Sequence, residues 1–237
     1  MAPAVLAGLG AAVSETGSRP LAVVMVLAAL SLVPFIALML TSFVKVSVVM
    51  AILRSALGAG QVPPGQVISG LALLLTVFIM APTAEAVMNA VEPVWRQGSQ
   101  AELTTPAGLS VISDAVAAGK PPVRAFLAKF AQGRDRDTFF ALAKRLRSGD
   151  PQGTVHADDV LVLAPAFVVS ELRRAFEMGF LIFIPFLVLD LVIANLLAAL
   201  GLQTLSPTVI ALPLKILLFV LADGWNLILR GLVSSYV

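Results

Sequence analysis

Long runs of residues without charge constrain this sequence more than any other feature. Residues 20–44 carry no charge, and neither do residues 55–84, which from Val67 onward are almost continuously apolar. The chain is charge-free again over 178–189 and 191–214. A membrane-spanning helix needs about 20 mostly apolar residues, whereas a buried helix of a soluble domain needs only about 10 to 14. Four spans are therefore predicted, near residues 21–44, 67–88, 176–200 and 208–234.

Composition supports a membrane protein and removes several other classes. Apolar residues make up 59% of the chain and charged residues 13%, whereas soluble domains carry about 25% charge. Because the chain has no cysteine, a disulfide scaffold and thiolate metal sites are excluded. The net charge of +2, from 16 basic and 14 acidic residues, is too balanced for a nucleic-acid-binding surface. We predict an all-α, membrane-associated fold with lipid but no nucleic acid among its partners.

The predicted spans divide the chain into four regions. Residues 1–20 include an apolar stretch with no basic residue before it, so we interpret this segment as a terminus rather than a secretory signal. Two regions, 21–91 and 160–237, hold the apolar helices. Residues 92–159 between them have the composition of a soluble segment.

The 92–159 region is predicted to hold two amphipathic helices. Apolar side chains recur at i, i+3, i+4 and i+7 from Val123 and again from Phe139. Residues 121–122, both proline, precede the first helix, and residues 149–151 end the second. Two arrangements remain open: an extramembrane hairpin with both stripes packed inward, or helices lying on membrane lipid. The basic residues available to lipid phosphates are Lys120, Arg124, Lys129, Lys144, Arg145 and Arg147.

The basic residues beside the first span give a prediction of orientation. Lys45 and Arg54 follow this span in what we interpret as a short link without any acid. Short basic links favour the cytoplasm. We therefore predict that the 92–159 region lies outside the cytoplasm.

Asp190 and Lys215 each stand alone within an apolar run. Ionisable residues at membrane depth are costly, so they indicate a function or a partner. If the last two spans form an antiparallel hairpin that turns near Thr204, the two residues differ by about three positions, or about 4.5 Å of helix rise. A lysine side chain covers that distance. We predict a structural ion pair within or between subunits, while a proton or ion relay and contacts with partner proteins remain alternatives.

A second charged cluster occupies residues 170–177. Ser170 is predicted to cap a helix whose first turn holds Glu171, near the positive end of the helix dipole. The spacing pairs Glu171 with Arg174 and Arg173 with Glu177. At the rim of a subunit interface such pairs fix register and partner choice, so we predict that these residues take part in assembly.

The sequence contains few residues that could form a catalytic site. The single histidine, His156, stands beside Asp158 and Asp159, which makes a weak metal site. The Ser69-Gly70 pair lacks the flanking glycine of a nucleophile elbow, and no phosphate-binding glycine loop occurs in the sequence. We predict a protein that is not an enzyme and has no catalytic residue, metal or cofactor.

Prolines within or beside the apolar segments favour kinked helices. Proline removes a backbone donor, and irregular helices at membrane depth are tolerated only where protein or a water-filled path surrounds them. This favours a multi-subunit pore or a transporter over an inert anchor. The prolines concerned are Pro34, Pro82, Pro185 and Pro213.

Several motifs in a fixed order give the strongest indication of a family. The first half of the chain holds Thr41-Ser42-Phe43-Val44-Lys45, then residues 53–58, then Gln61-Val62-Pro63-Pro64. The second half holds motifs at residues 165–167, 170–172, 175–180, 184–190, 212–215, 219–220 and 223–225. Together they resemble the SctR/FliP family, an export-gate component of type III secretion and flagellar systems. The resemblance covers residues 21–91 and 160–235, and the wording of the first motif favours the virulence-type branch over the flagellar one.

The resemblance implies an assembly and a function. It implies a homopentamer that joins S-type and T-type export-gate proteins in a helical, pseudo-hexameric cone of kinked hairpins. The cone would be located in the bacterial inner membrane, partly raised toward the periplasm, and unfolded exported proteins would pass through it. Two alternatives stay open: a secondary transporter that uses Asp190 and Lys215, and a membrane assembly scaffold without a pore.

The resemblance also implies a gate loop between the last two apolar arms. Many relatives have a methionine-rich loop there, and flexible thioethers suit a seal that opens for varied polypeptides. This chain departs from that pattern, with Leu202, Gln203 and Thr204 at the matching positions. We predict that a ring of Leu202 or Leu205 narrows the path and that Gln203 hydrogen-bonds to its copies.

Overall fold

The described part of the chain is helical throughout. The computed structural model describes residues 31–32, 34–58, 63–98, 106–147, 155–202 and 204–237. Every regular element within them is a helix, which confirms the predicted all-α class. The helices are α1 (Phe43–Leu57), α2 (Gly65–Gly98), α3 (Pro106–Phe130), α4 (Gly133–Leu146), α5 (Val160–Ala199), α6 (Pro207–Leu221) and α7 (Gly224–Ser234). Residues 31–32 and 34–39 are helical as well.

Two of the described helices are long and apolar enough to cross a membrane. They are α2, over Gly65–Gln97, and α5. The span predicted at 67–88 lies within α2, and the span predicted at 176–200 lies within α5 except for its last residue. Helices α6 and α7 meet the same test only as a pair that is bent by 60°. The span predicted at 21–44 falls largely outside the described residues.

The bend between α6 and α7 replaces the single span predicted over 208–234. Asp223 adopts a left-handed backbone conformation with φ of 48°. A Cβ atom on Gly224 would come within 2.3 Å of the Phe219 ring, so only glycine fits there. Trp225 packs edge-on against the same ring, with centroids 5.3 Å apart. The motif at residues 223–225 is therefore a sharp corner between two helices.

The prolines leave their helices uninterrupted. Helix α2 continues through Pro82, α6 through Pro213 and α5 through Pro185. The prediction that residues 121–122 precede the first amphipathic helix is wrong, because both prolines lie inside α3. The helix begins instead at Pro106, a position where the missing N–H has no intrahelical partner to lose.

Contacts divide the chain into two compact units. Unit 1 comprises Met1–Leu40 and Met80–Phe167, and unit 2 comprises Thr41–Ile79 and Val168–Val237. Helices α2 and α5 therefore supply residues to both units.

The core of unit 1 forms between α3 and the first turns of α5. Three of the four residues in the stripe predicted on the first amphipathic helix, Phe126, Leu127 and Phe130, are buried, and Phe126 packs against Phe167 with centroids 5.5 Å apart. The second predicted stripe, on α4, is not packed inward, because Leu142 is 45% and Leu146 88% exposed. The prediction of a hairpin with both stripes buried is therefore wrong for α4.

Helix α1 occupies the core of unit 2. Its buried residues Val46, Val49, Met50 and Leu53 follow the spacing i, i+3, i+4 and i+7, the apolar stripe of a helix. The interpretation of Lys45 and Arg54 as part of a short link is therefore wrong, because both lie within α1, and the orientation of the 92–159 region stays a prediction. The stripe packs with residues of every other helix in this unit, namely Ile68, Ala72, Ala175, Phe186, Phe219, Ile228 and Leu232.

Glycine at position 179 permits the close approach of α1 and α5. A Cβ atom at Gly179 would lie 2.3 Å from Ile52 Cδ1 and 3.1 Å from its Cβ, whereas a Cβ at Gly70 in α2 would meet nothing within 4 Å. We expect Gly179→Ala to lower the free energy of unfolding by about 1 to 3 kcal/mol through overpacking. The control Gly70→Ala is expected to raise it by about 0.5 to 1 kcal/mol. Thermal unfolding in detergent measures both, and equal effects would contradict the close contact.

Candidate functional site

Asp190 and Lys215 form the ion pair that the sequence predicts. Lys215 Nζ lies 2.7 Å from Asp190 Oδ2. The lysine side chain is 4% exposed and the aspartate side chain 37%. Helix α5 ends at Ala199 and α6 begins at Pro207, so the short connection brings the two charges to the same level. The geometry places the pair within one chain, and its role in assembly stays a prediction.

The same lysine also caps the carboxyl end of α1. Lys215 Nζ donates a hydrogen bond to the carbonyl oxygen of Ala56 at 3.0 Å, in the last turn of that helix. The last carbonyl groups of a helix lack intrahelical partners and carry partial negative charge, so a cation there is stabilising. The sequence prediction did not include this contact, because α1 was not recognised as a helix.

Gly58 makes room for the lysine. Its φ is 71°, and its N–H donates to the Ser55 carbonyl oxygen at 3.1 Å. A Cβ atom on Gly58 would lie 3.2 Å from Lys215 Nζ. Glycine therefore serves twice at this position, because it adopts the left-handed conformation that ends α1 and leaves space for the ammonium group.

A second ion pair lies near the amino end of α1, and this one is fully buried. Lys45 Nζ is 3.1 Å from Glu171 Oε2, and both side chains are fully buried. Arg174 Nη1 lies 3.0 Å from the other carboxylate oxygen of Glu171, and its side chain is 30% exposed. The pairing of Glu171 with Arg174 thus occurs as predicted, but the carboxylate belongs to a buried network.

Tyr236 completes this network. Its hydroxyl donates a hydrogen bond to Glu171 Oε2, and Lys45 Nζ lies 3.6 Å from the centroid of its ring. A lysine over an aromatic face gains a cation–π interaction, which strengthens where water is excluded. Glu171 therefore receives three donors or cations, from α1, from its own helix and from the residues after α7.

Burial shifts the pKa of two members of the network. Desolvation lowers the pKa of Lys45, and the neighbouring Glu171 carboxylate opposes that change. Desolvation raises the pKa of Tyr236, and the negative charge of Glu171 raises it further. The tyrosine therefore keeps its proton and remains a donor to the carboxylate over the whole physiological range.

The raised pKa of Tyr236 gives a testable dependence of stability on pH. Above about pH 10 the unfolded chain loses the tyrosine proton and the folded chain keeps it, so this contribution to stability declines as pH rises. Lys45 acts in the opposite direction, because its lowered pKa makes the folded state release a proton first. We expect Tyr236→Phe to cost about 2 kcal/mol at pH 7, and this difference to narrow between pH 10 and 11.

Thermal unfolding of both proteins in detergent from pH 7 to 11 measures this difference. Because Lys45 titrates in both proteins, its contribution largely cancels in the comparison. A constant difference across the whole range would contradict a protonated, buried tyrosine beside Glu171.

Most of the chain matches one known protein family. The sequence profile of the FliP family matches residues 26–232. The chain belongs to the FliP family. This match confirms the family that the sequence motifs indicated.

Relatives of this FliP-family chain include proteins named for virulence and for flagella. It is 42% identical over 213 residues to "Yop proteins translocation protein R" of Yersinia pestis, covering 90% of this chain and 94% of the relative. It is 43% identical over 217 residues to "Virulence protein YscR" of Salmonella typhimurium, covering 92% and 97%. It is also 42% identical over 231 residues to "Flagellar biosynthetic protein FliP" of Caulobacter vibrioides, covering 97% and 80%.

The predicted helix cap at Ser170 is absent from this FliP-family chain. Ser170 lies inside α5 and is fully buried, ten residues after the helix begins at Val160. The apolar residues before Ser170 extend the helix, so no terminus forms there. The pairing of Arg173 with Glu177 stays a prediction.

The predicted gate loop is partly described. Gly201 has φ of 71°, its N–H bonds to Ala198 O at 3.1 Å, and the Leu202 N–H bonds to Leu197 O at 2.9 Å. This pair of bonds is the Schellman ending of a helix. Leu202 and Leu205 are 43% and 46% exposed, and Thr204 is exposed as well. Gln203 lies outside the described residues, and the role of the loop as a gate stays a prediction.

Sequence reasoning missed Lys45, Tyr236 and Gly58 as members of the site. Lys45 directly follows the charge-free residues 20–44, so the rule that singled out Asp190 also applied to it. It was interpreted instead as a charge that sets membrane orientation. Tyr236 is the only tyrosine in the chain, but no local pattern connects it with a glutamate 65 residues away.

Proposed function

We propose that this chain is a pore-forming core subunit of the type III secretion export gate, passing unfolded proteins across the bacterial inner membrane. The observation that carries the proposal is identity of 42–43% over nine-tenths of the chain to relatives whose names state Yop protein translocation and virulence. The chain covers 94–97% of those two relatives and 80% of the flagellar one. We therefore favour the virulence-type branch.

The apolar surface of unit 2 supports assembly with other subunits. Phe176, Phe180 and Leu181 on α5 are 60–69% exposed, and Leu217, Val220 and Leu221 on α6 are 53–76% exposed. Exposed apolar patches of this extent mark protein or membrane contacts. We propose that much of this surface packs on further copies in a homopentamer and on S-type and T-type export-gate proteins.

The two ion pairs, one fully buried and one partly buried, agree with this proposal. They hold α1, α5, α6 and the residues after α7 together through protein contacts. Charges inside apolar helices are tolerated when they face protein and are paired. We propose that the pairs keep the subunit rigid while its outer face contacts neighbours, and that the assembled complex is partly raised toward the periplasm.

The native mass of the detergent-extracted protein tests this function. We expect a homopentamer, and a larger complex when S-type and T-type proteins are co-expressed. The variant Phe180→Ser places a polar group on the exposed α5 face and is expected to dissociate the complex without unfolding the chain. The matched control Leu146→Ser changes an exposed residue of unit 1. A monomer under both expression conditions would overturn the proposal.

A further inference from the structure

The exposed surface of unit 2 changes character at the corner between α6 and α7. Over residues 214–221, every exposed residue of α6 is apolar. Beyond the corner, the exposed residues Asp223, Asn226, Arg230 and Ser234 recur at i, i+3, i+7 and i+11, on one side of a helix. Charged and polar groups are costly at membrane depth. The outer side of α6 is therefore suited to hydrocarbon, and this polar stripe of α7 is not.

The opposite side of α7 packs within its own unit. Gly224, Ile228 and Leu232 are buried, and the last two belong to the core that surrounds α1. The polar stripe, together with Trp225 and Leu227, which are 40% and 68% exposed, is what α7 presents to its surroundings.

Contacts with α5 give the level of α7 in the membrane. A Cβ atom on Gly231 would lie 3.5 Å from Met178 Cε, and the Tyr236 hydroxyl donates to Glu171. The last turns of α7 therefore lie beside residues 171–178 of α5, which include two acidic and two basic residues. From Met178 to its end at Ala199, α5 rises about 33 Å, close to the thickness of the hydrocarbon layer. Residues 171–178 thus lie at the edge of that layer, and so does α7.

The bend keeps α7 within this layer. Helix α7 has 11 residues, which is a length of about 16 Å. Because it is bent by 60° from α6, it advances only about 8 Å along the direction of α6. Asn226 Nδ2 donates a hydrogen bond to Asp223 Oδ2 at 2.8 Å, so the polar groups at the corner also satisfy each other.

We infer that α7 is an interfacial helix whose polar stripe contacts phospholipid headgroups, and that only α6 of this pair is surrounded by hydrocarbon. Trp225 lies at the boundary, where tryptophan is enriched in membrane proteins. The exposed guanidinium of Arg230 matches the geometry of lipid phosphates. The inference concerns the single chain in a bilayer. It rests on contacts within unit 2 and is independent of the export-gate function.

Cysteine labelling tests the level of α7, because the chain has no cysteine of its own. The full chain is reconstituted in phosphatidylcholine vesicles, with a membrane-impermeant maleimide on both sides of the bilayer. Leu227→Cys is compared with its matched control Leu217→Cys, since the two leucines are 68% and 53% exposed on the chain. A thiol reacts as its thiolate, which apolar surroundings disfavour. A difference of one pKa unit between the two thiols changes the labelling rate about tenfold, and we expect at least that advantage for Leu227→Cys.

Labelling of both variants in SDS provides the control for equal intrinsic reactivity. Equal labelling rates in vesicles, or faster labelling of Leu217→Cys, would overturn the inference.

The fluorescence of Trp225 measures depth without any change in α7. The chain has two tryptophans, so Trp95→Phe in unit 1 leaves Trp225 as the single reporter. The vesicles contain phosphatidylcholine brominated either near the headgroup or near the end of the acyl chain. We expect stronger quenching by the bromines near the headgroup. Stronger quenching by the deep bromines would place the corner within hydrocarbon, and quenching by neither lipid would mean that protein or water covers it. Either result would overturn the inference.

Discussion

Substitution of Asp190 by asparagine is expected to abolish secretion and to destabilise the chain. The change leaves Lys215, which is 4% exposed, as a buried charge whose remaining described acceptor is the Ala56 carbonyl. Removing one partner of a fully buried pair costs about 3 to 5 kcal/mol, and because Asp190 is partly exposed we expect a smaller loss, of about 2 to 3 kcal/mol. The measurements are the Tm in detergent and the amount of exported protein from cells that carry the variant as their only copy.

Exchange of the two charges separates the ion pair from the helix cap. The double variant Asp190→Lys and Lys215→Asp restores opposite charges, but a carboxylate at position 215 has no proton to donate to Ala56. We therefore expect only partial recovery of stability and secretion. Full recovery would contradict a role for Lys215 in capping α1, and no recovery at all would contradict the ion pair.

Replacement of Glu171 by leucine is expected to have the second large effect. Lys45 is fully buried, so without Glu171 it either stays charged and unpaired or loses its proton. We expect a loss of about 3 to 5 kcal/mol in the free energy of unfolding. The matched control is Glu177→Leu, six residues further along α5 and exposed, which is expected to change stability by about 0.5 kcal/mol or less.

A double variant tests whether the loss of stability comes from leaving Lys45 without its partner or from losing the ion pair as a whole. Replacing a whole buried pair by apolar residues is often neutral or stabilising, so Lys45→Met with Glu171→Leu is expected to recover most of the stability. Loss of secretion in a stable double variant would indicate that the charges serve assembly as well as folding. If the double variant does not regain stability, the loss in Glu171→Leu does not come from the unpaired charge of Lys45.

The fold class and the Asp190–Lys215 ion pair were predictable from the sequence, because both follow from patterns within short segments of the chain. Charge-free runs identified the two helices that are long and apolar enough to cross a membrane, and an antiparallel hairpin of known rise per residue placed Asp190 opposite Lys215. The corner at Asp223 was missed, although an Asp-Gly pair often marks a turn, because the apolar residues on both sides were interpreted as one span over 208–234. Helix α1 was missed because Lys45 and Arg54 suggested a loop, although the spacing of Val46 to Leu53 indicated a helix.

The network around Glu171 could not be predicted from spacing alone. The glutamate joins α1 to the residues after α7, and a single sequence contains no signal for contacts between such distant segments. The motifs indicated the family but not which of their residues touch. At Ser170 a local pattern predicted a feature that is absent. A serine followed by glutamate often starts a helix, but Ser170 lies within a 40-residue helix.

The position of Lys215 in the chain has a consequence for biosynthesis. Its acceptor at Ala56 is 159 residues away, so at about 5 to 20 residues per second the ribosome needs about 10 to 30 s to produce the lysine after the carbonyl group has emerged. During that interval the Ala56 carbonyl has not yet received its hydrogen bond from Lys215, and Lys45 has not yet been paired with Glu171. The contacts that join α1 to the second half of unit 2 can therefore form only after nearly the whole chain, through Tyr236, has been synthesised.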